Sequence, residues 1–297
     1  MLKLPTLFQD IDAYPMLSNA KKKSFLSFCE VYAEYIDILN ELPSEVEMLV
    51  FSHEDWNEKN IFLRIELQMF ENHFMSFFKA KRLITAINNS FENSDSYTST
   101  ALLRQFFEET IYFHHFVTNI EGKITTICEY AKGRYNSKDK NFLTTKLYEI
   151  HKLIEKSYYS SSYNFRNKHS PKVKIKSTNI LTIIQKYDKE SPYPLKDFYD
   201  RLSEYVHPNY GSRMLLKKNT EVLANNPDLD LLTLGMNNSS SEIGYFLDQF
   251  LEPLNAISII AIDTINRAYE QMSFMKNLTS YADGKKELIE VPNRIIN

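Results

Sequence analysis

Residues 101–134 read ALLRQFFEETIYFHHFVTNIEGKITTICEYAKGR and carry the clearest structural signal in this chain. Apolar side chains recur here every three or four residues, which is the period of an α-helix that buries one broad face. The main apolar stripe consists of Leu103, Phe106, Phe107, Phe113, Val117, Ile120 and Ile124. A stripe of this length predicts a long helix at the centre of a helical core.

The same helical period appears on both sides of this stretch. It is carried by residues 19–42, about 54–91, 139–159, 178–186, 195–206 and 242–275. Pro253 lies inside the last of these segments and should bend that helix. We therefore predict an all-α protein. It should be an elongated helical bundle of about six to seven helices in a single domain, residues 1–297, with exposed loops at about 160–177 and 208–240.

The composition agrees with long helices and narrows the function. Glycine accounts for only 6 of the 297 residues. This low count argues against a fold with many tight turns and against glycine-rich phosphate-binding loops. A net charge of −3 argues against a protein that coats nucleic acid non-specifically, since that mode needs an excess of Lys and Arg. A local basic site is compatible with this charge.

Two cysteines, Cys29 and Cys128, lie in separate amphipathic segments, which predicts neither a disulfide framework nor a thiolate zinc cluster. The N-terminal residues do not resemble a signal peptide. The most apolar run, residues 256–262, is too short to span a bilayer. We therefore expect a cytoplasmic protein that does not associate with a membrane.

Residues 201–207, RLSEYVH, are the strongest candidates for catalytic side chains in the sequence. An imidazole and a guanidinium around one phosphodiester can move protons and stabilise charge on the non-bridging oxygens. Along a straight helix, the side chains of Arg201 and His207 project about 120° apart, so they converge only where the helix ends. Pro208 predicts that end, because the residue before a proline disfavours the α conformation. An ordinary helix end, with Leu202 in the core, is the alternative interpretation.

A basic loop precedes this segment. Its cations are Arg166, Lys168, His169, Lys172, Lys174 and Lys176, with three tyrosines and a phenylalanine just upstream. Cations beside aromatic rings suit a phosphate backbone with stacked bases. A solvated loop held in place by its tyrosines is the alternative.

A narrow polar stripe runs along the otherwise apolar central helix. Arg104 and Glu108 are four residues apart, and His115 and Asn119 continue the same side. Such a stripe indicates either the lining of a groove or the solvent-facing side of the helix.

Other chemistries find little support in the sequence. The pair His114-His115 invites a metal interpretation, but a carboxylate-bridged di-metal bundle needs two Glu-x-x-His pairs. Only residues 204–207 have that spacing. The sequence contains no Gly-x-Ser-x-Gly elbow and no phosphate-binding loop. We therefore expect no metal and no cofactor.

Two segments together resemble a known family. YDRLSEYVHPN at residues 199–209 and LLRQFFEE at residues 102–109 look like the all-helical HEPN superfamily, named for higher eukaryotic and prokaryotic nucleotide-binding proteins. Its active members carry an Arg, then four to six residues, then His, which Arg201 and His207 match. The resemblance covers about residues 101–211. Active members often have a polar residue after the Arg, where this chain has Leu202.

The resemblance implies a hydrolase, namely a metal-independent endoribonuclease of the toxin or antiviral-defence kind. Its expected biological role is abortive infection. It implies a homodimer with the two motifs facing each other at the interface. The 2′-hydroxyl of RNA would attack the adjacent phosphate and leave a cyclic phosphate and a 5′-hydroxyl. An antitoxin or another defence-system protein would be the further partner.

The same resemblance assigns roles to individual residues. His207 would be the general acid or base, and Arg201 would hold and neutralise the phosphate. Arg104 and Glu108 match an Arg and an acidic residue that some bacterial branches place on an earlier helix, and these would orient the first pair. The residues expected to contact the RNA are Ser203, Asn209, Arg166, Lys168, His169, Lys172 and Lys174.

A non-catalytic helical module is the second hypothesis. It would use the same scaffold to bind a protein partner or a nucleotide, and RLSEYVH would be a structural helix end. Leu202 and the small net charge favour this alternative.

Overall fold

The computed structural model describes residues 1–9, 18–48, 61–131, 142–159, 179–207, 217–223, 226–234 and 240–282. After a short 3-10 helix at Thr6–Phe8, these residues form seven α-helices. The helices are α1 (Asn19–Glu41), α2 (Ile61–Glu92), α3 (Ser96–Ala131), α4 (Phe142–Tyr159), α5 (Ile180–Asp188), α6 (Leu195–Val206) and α7 (Ser240–Ala282). The predicted all-α class is confirmed. Among the described residues, no helix is long and apolar enough to cross a membrane.

A two-stranded antiparallel sheet accompanies the helices. Strands β1 (Lys217–Leu223) and β2 (Asn226–Leu234) pair with Thr220 opposite Leu232. They lie inside residues 208–240, for which the sequence predicted an exposed loop. Two features of this segment suit paired strands: Asp and Leu alternate at residues 228–231, and β1 contains β-branched residues. The predicted loop did not take this pattern into account.

Helix α3 carries the predicted core stripe and begins at Ser96, before residue 101. Asp95 caps it, because Asp95 Oδ1 accepts the backbone N–H of Thr98 at 3.0 Å. Every member of the predicted stripe except Phe113 is fully buried. The periodicity of residues 101–134 therefore identified the buried face correctly.

Contacts divide the chain into two compact units. Unit 1 consists of Met1–Pro43, Phe78–Ile111 and Ile184–Ile262. Its core includes the ring of Phe8, whose centroid lies 5.4 Å from that of Phe28 and 5.0 Å from that of Phe91. Such edge-to-face contacts stabilise aromatic clusters beyond the burial of their area.

Unit 2 consists of Ser44–Phe77, Tyr112–Ile183 and Asp263–Asn297. Its core contains a fully buried histidine, His73, whose Nε2 lies 3.3 Å from Gln271 Oε1. Since Gln271 Oε1 can only accept, Nε2 carries the proton of a neutral ring. Burial lowers the pKa of His73 from 6.5 to about 4.

Candidate functional site

Helix α6 carries Arg201 and lies in unit 1. Its apolar residues recur at spacings of three and four, and this spacing places them on one buried face. The buried residues are Leu195, Phe198, Tyr199 and Leu202. Leu202 is fully buried, so the apolar residue that follows Arg201 serves the core of its unit.

The predicted helix end at His207 is confirmed. The helix stops at Val206, and His207 has φ −72° and ψ 152°, the extended conformation favoured before a proline. The backbone N–H of His207 donates to the Ser203 carbonyl at 3.0 Å and closes the last turn. The imidazole is exposed within the described part of the chain.

A carboxylate one turn earlier on α6 holds the guanidinium of Arg201. Its Nη2 and Nε donate to Asp197 Oδ2 at 2.7 and 3.0 Å, and Arg201 Cζ lies 5.2 Å from the centroid of the Phe198 ring. The side chains of Arg201 and Asp197 are 33% and 62% exposed. Water screens such a pair, which contributes at most about 1 kcal/mol to stability. A phosphate can therefore compete with Asp197 for this guanidinium.

The other charges on α6 make its exposed side acidic. The amine of Lys196 donates to the Asp200 carboxylate, and this hydrogen bond raises the pKa of Lys196. The helix contains three acidic residues, which are Asp197, Asp200 and Glu204, against two basic ones. An anionic substrate at this face therefore needs additional cations from outside α6.

Arg104 and Glu108 of α3 meet Tyr199 of α6, a residue to which the sequence analysis assigned no role. Arg104 Nη2 donates to the Tyr199 hydroxyl at 3.0 Å, and that hydroxyl donates to Glu108 Oε1 at 3.1 Å. Arg104 Nη2 also lies 3.2 Å from Glu108 Oε1. We call Arg104, Glu108 and Tyr199 the tyrosine cluster. It ties α3 to α6 within unit 1.

The tyrosine cluster and Arg201 lie on different sides of α6. Two residues along an α-helix correspond to a rotation of about 200°, so Tyr199 and Arg201 project about 160° apart. The structure therefore joins Arg104 and Glu108 to Tyr199, while Arg201 pairs with Asp197. A buried Tyr in the apolar stripe of a short helix was the available signal, since a buried hydroxyl needs a polar partner.

Two further observations concern the predicted RNA-contacting residues. Ser203 Oγ is buried and has no hydrogen-bond partner among the described residues. It projects about 40° from Tyr199 around α6, on the side of the tyrosine cluster. The other residues predicted to contact RNA lie outside the described residues, namely Asn209, Arg166, Lys168, His169, Lys172 and Lys174.

Replacing Tyr199 with Phe should lower the free energy of unfolding by about 1.5 kcal/mol, because the hydroxyl bridges a guanidinium and a carboxylate. The urea midpoint measures this change. Tyr97→Phe is the matched control, since that ring is 41% exposed and should shift the midpoint little. An unchanged midpoint for Tyr199→Phe would show that the tyrosine cluster does not stabilise α6.

The adjacent histidines of α3 are engaged with separate polar groups in unit 2. His114 Nδ1 lies 3.0 Å from Thr264 Oγ1, and the amide of Asn119 contacts the ring of His115 at 3.1 Å. Across the described ranges, no group of three or more His, Cys, Asp and Glu side chains is arranged to hold a metal ion.

Comparison of this chain with known protein families, with curated proteins and with solved structures finds no match.

Proposed function

We propose that this protein is a metal-independent endoribonuclease of the toxin or antiviral-defence kind, as its resemblance to the HEPN superfamily implies. One observation carries the proposal: an exposed imidazole stands at the end of α6, with a partly exposed guanidinium about one and a half turns earlier. Both groups are accessible, and neither is needed to fill the core.

The two side chains supply the groups that phosphodiester transesterification requires. One His207 ring takes the proton of the ribose 2′-hydroxyl, or delivers a proton to the departing 5′-oxygen. The 2′-oxygen bonds to phosphorus while the bond to the 5′-oxygen breaks, leaving a 2′,3′-cyclic phosphate and a 5′-hydroxyl. Arg201 neutralises the charge that develops on the non-bridging oxygens.

Two copies of the chain would complete the site. A single His207 supplies one ring, whereas the reaction uses a base and an acid, and facing motifs in a homodimer supply both. The cations of residues 166–174 and the side chain of Asn209 would offset the acidity of α6 and guide the RNA. Arg104 and Glu108 would act through Tyr199 as positioning residues that fix the orientation of α6.

The purified chain should cleave single-stranded RNA in the presence of a chelator. The products should carry cyclic phosphate and 5′-hydroxyl ends. Enzymatic end-labelling distinguishes a 5′-hydroxyl from a 5′-phosphate. Products with a 5′-phosphate, or no cleavage of any RNA in a broad set of sequences, would overturn the proposal.

Asp197→Asn tests whether the Asp197 carboxylate competes with the substrate for Arg201. The substitution removes the charge that holds the guanidinium, so the KM for RNA should fall by about twofold to fivefold. Asp200→Asn is the matched control, because it makes the same charge change on the same helix but releases Lys196. Equal effects of both substitutions would mean that net charge alone, and not the release of Arg201, sets the affinity.

The second candidate is a non-catalytic module that binds a protein partner or a nucleotide. It is favoured by the pairing of Arg201 with Asp197 and of Lys196 with Asp200, which leaves α6 acidic. On this alternative the chelator assay shows no cleavage, and His207→Ala leaves partner binding unchanged.

A further inference from the structure

A small polar pocket lies between α3 and α4 in unit 2, and the proposed ribonuclease activity does not use it. Its volume is about 210 Å³. The lining residues of α3 are Tyr112, His115, Phe116 and Asn119, and those of α4 are Leu153, Lys156 and Ser157. On each helix they follow spacings of three and four, so the pocket is a groove between two facing helix sides.

The polar half of the lining favours an anion. Lys156 contributes an exposed amine, and His115, Asn119 and Ser157 contribute an imidazole, an amide and a hydroxyl. No carboxylate is among the seven lining residues. An oxyanion therefore meets the Lys156 cation and the Ser157 hydroxyl without a repelling charge among the lining residues.

The hydroxyl of Ser157 is positioned from behind. Asn72 of α2 is buried, and its Nδ2 donates to Ser157 Oγ at 3.3 Å. Because that oxygen accepts a hydrogen bond from Asn72, the hydroxyl proton of Ser157 can rotate towards the pocket and donate to a ligand. Three helices of unit 2 therefore take part in shaping this wall.

The apolar half of the lining limits what else the ligand contains. Tyr112 and Phe116 are one turn apart on α3, and Leu153 lines the pocket from α4. A cavity of about 150 Å³ accepts a benzene ring, so 210 Å³ leaves room for one ring and a small anionic group.

We propose that this groove binds a small molecule with one flat ring and one oxyanion, either a carboxylate or a phosphate monoester. Lys156 pairs with the oxyanion, Ser157 donates to it, and the ring lies against Phe116 and Leu153. The inference rests on unit 2 alone and does not depend on the proposed ribonuclease activity.

Titration of the full chain with phenyl phosphate and with benzoate, followed by calorimetry or ligand-observed NMR, tests the proposal. At least one of them should bind with a dissociation constant in the millimolar range or below. Benzyl alcohol and inorganic phosphate should each bind at least about tenfold more weakly, because each lacks one of the two recognised features.

Lys156→Gln should weaken binding by at least about tenfold, since it removes the charge opposite the oxyanion. Lys152→Gln is the matched control: it is an exposed lysine on the same helix that does not line the pocket, and it should leave affinity unchanged. The proposal is overturned by absence of binding, by equal binding of benzyl alcohol, or by equal losses in the two variants.

Discussion

His207→Ala should reduce RNA cleavage by about 100-fold to 10,000-fold while leaving the fold intact. The size of the effect follows from losing a side chain that transfers a proton in the transition state. The fold should survive because the imidazole is exposed and only the backbone of His207 closes the helix. Single-turnover kinetics on a defined RNA measure the rate, and the thermal midpoint checks the fold.

Arg201→Ala should reduce the rate of RNA cleavage by about 100-fold to 1,000-fold, because it removes charge stabilisation at the phosphate. Lys196→Ala is the matched control. Lys196 is also a cation on α6 that pairs with an acidic residue four positions away, but it lies outside the Arg-to-His motif. Its removal should change the rate less than threefold.

Three results would decide against the assigned roles. If His207→Ala retains the unmutated rate, another group carries the proton. If Lys196→Ala loses as much as Arg201→Ala, general electrostatic attraction explains the dependence on Arg201. If Arg201→Ala and His207→Ala lower the thermal midpoint as well as the cleavage rate, the motif is structural.

Lowering the pH from 6.5 to 4 should reduce the free energy of unfolding by about 3 kcal/mol through His73 alone. The pKa of His73 is lowered from 6.5 to about 4 by burial, so the unfolded chain binds the proton more readily between these values. Stability is therefore fully present above pH 6.5 and falls as the pH falls towards 4. His151, whose pKa burial also lowers to about 4, adds to the loss in the same window.

Urea unfolding at several pH values tests this linkage. His73→Leu should flatten the pH dependence of the unfolding free energy, although the loss of the contact with Gln271 lowers stability at neutral pH. His207→Gln is the comparison variant, since it removes an exposed ring where His73→Leu removes a buried one. Parallel curves for His73→Leu and the unmutated chain would contradict the assignment.

Much of the local structure of α6 was predictable. Its apolar residues repeat with the helical period, and Pro208 restricts the residue before it, so both the buried face and the end at His207 follow from neighbouring residues. The buried stripe of α3 followed from periodicity in the same way. By contrast, the strands of residues 217–234 were predicted as a loop, because their short alternating pattern is weak beside strong helical signals.

The partners of the polar side chains were not predictable to the same degree. Arg104 and Glu108 are predicted to orient Arg201 and His207, and that role stays a prediction. In the structure both contact the Tyr199 hydroxyl. Tyr199 and Glu108 are separated by 91 positions, so no local rule relates them.

The amino-acid sequence by itself determined the all-α class, the buried stripes and the helix end at His207, because periodicity and the proline restriction act between residues close in the chain. Only the tertiary structure decided which helix faces meet. Packing of α6 on α3 brought Tyr199 to Arg104 and Glu108, and packing of α4 beside α3 opened the pocket around Lys156. These contacts depend on how separate helices pack side by side, which a single sequence pattern does not specify.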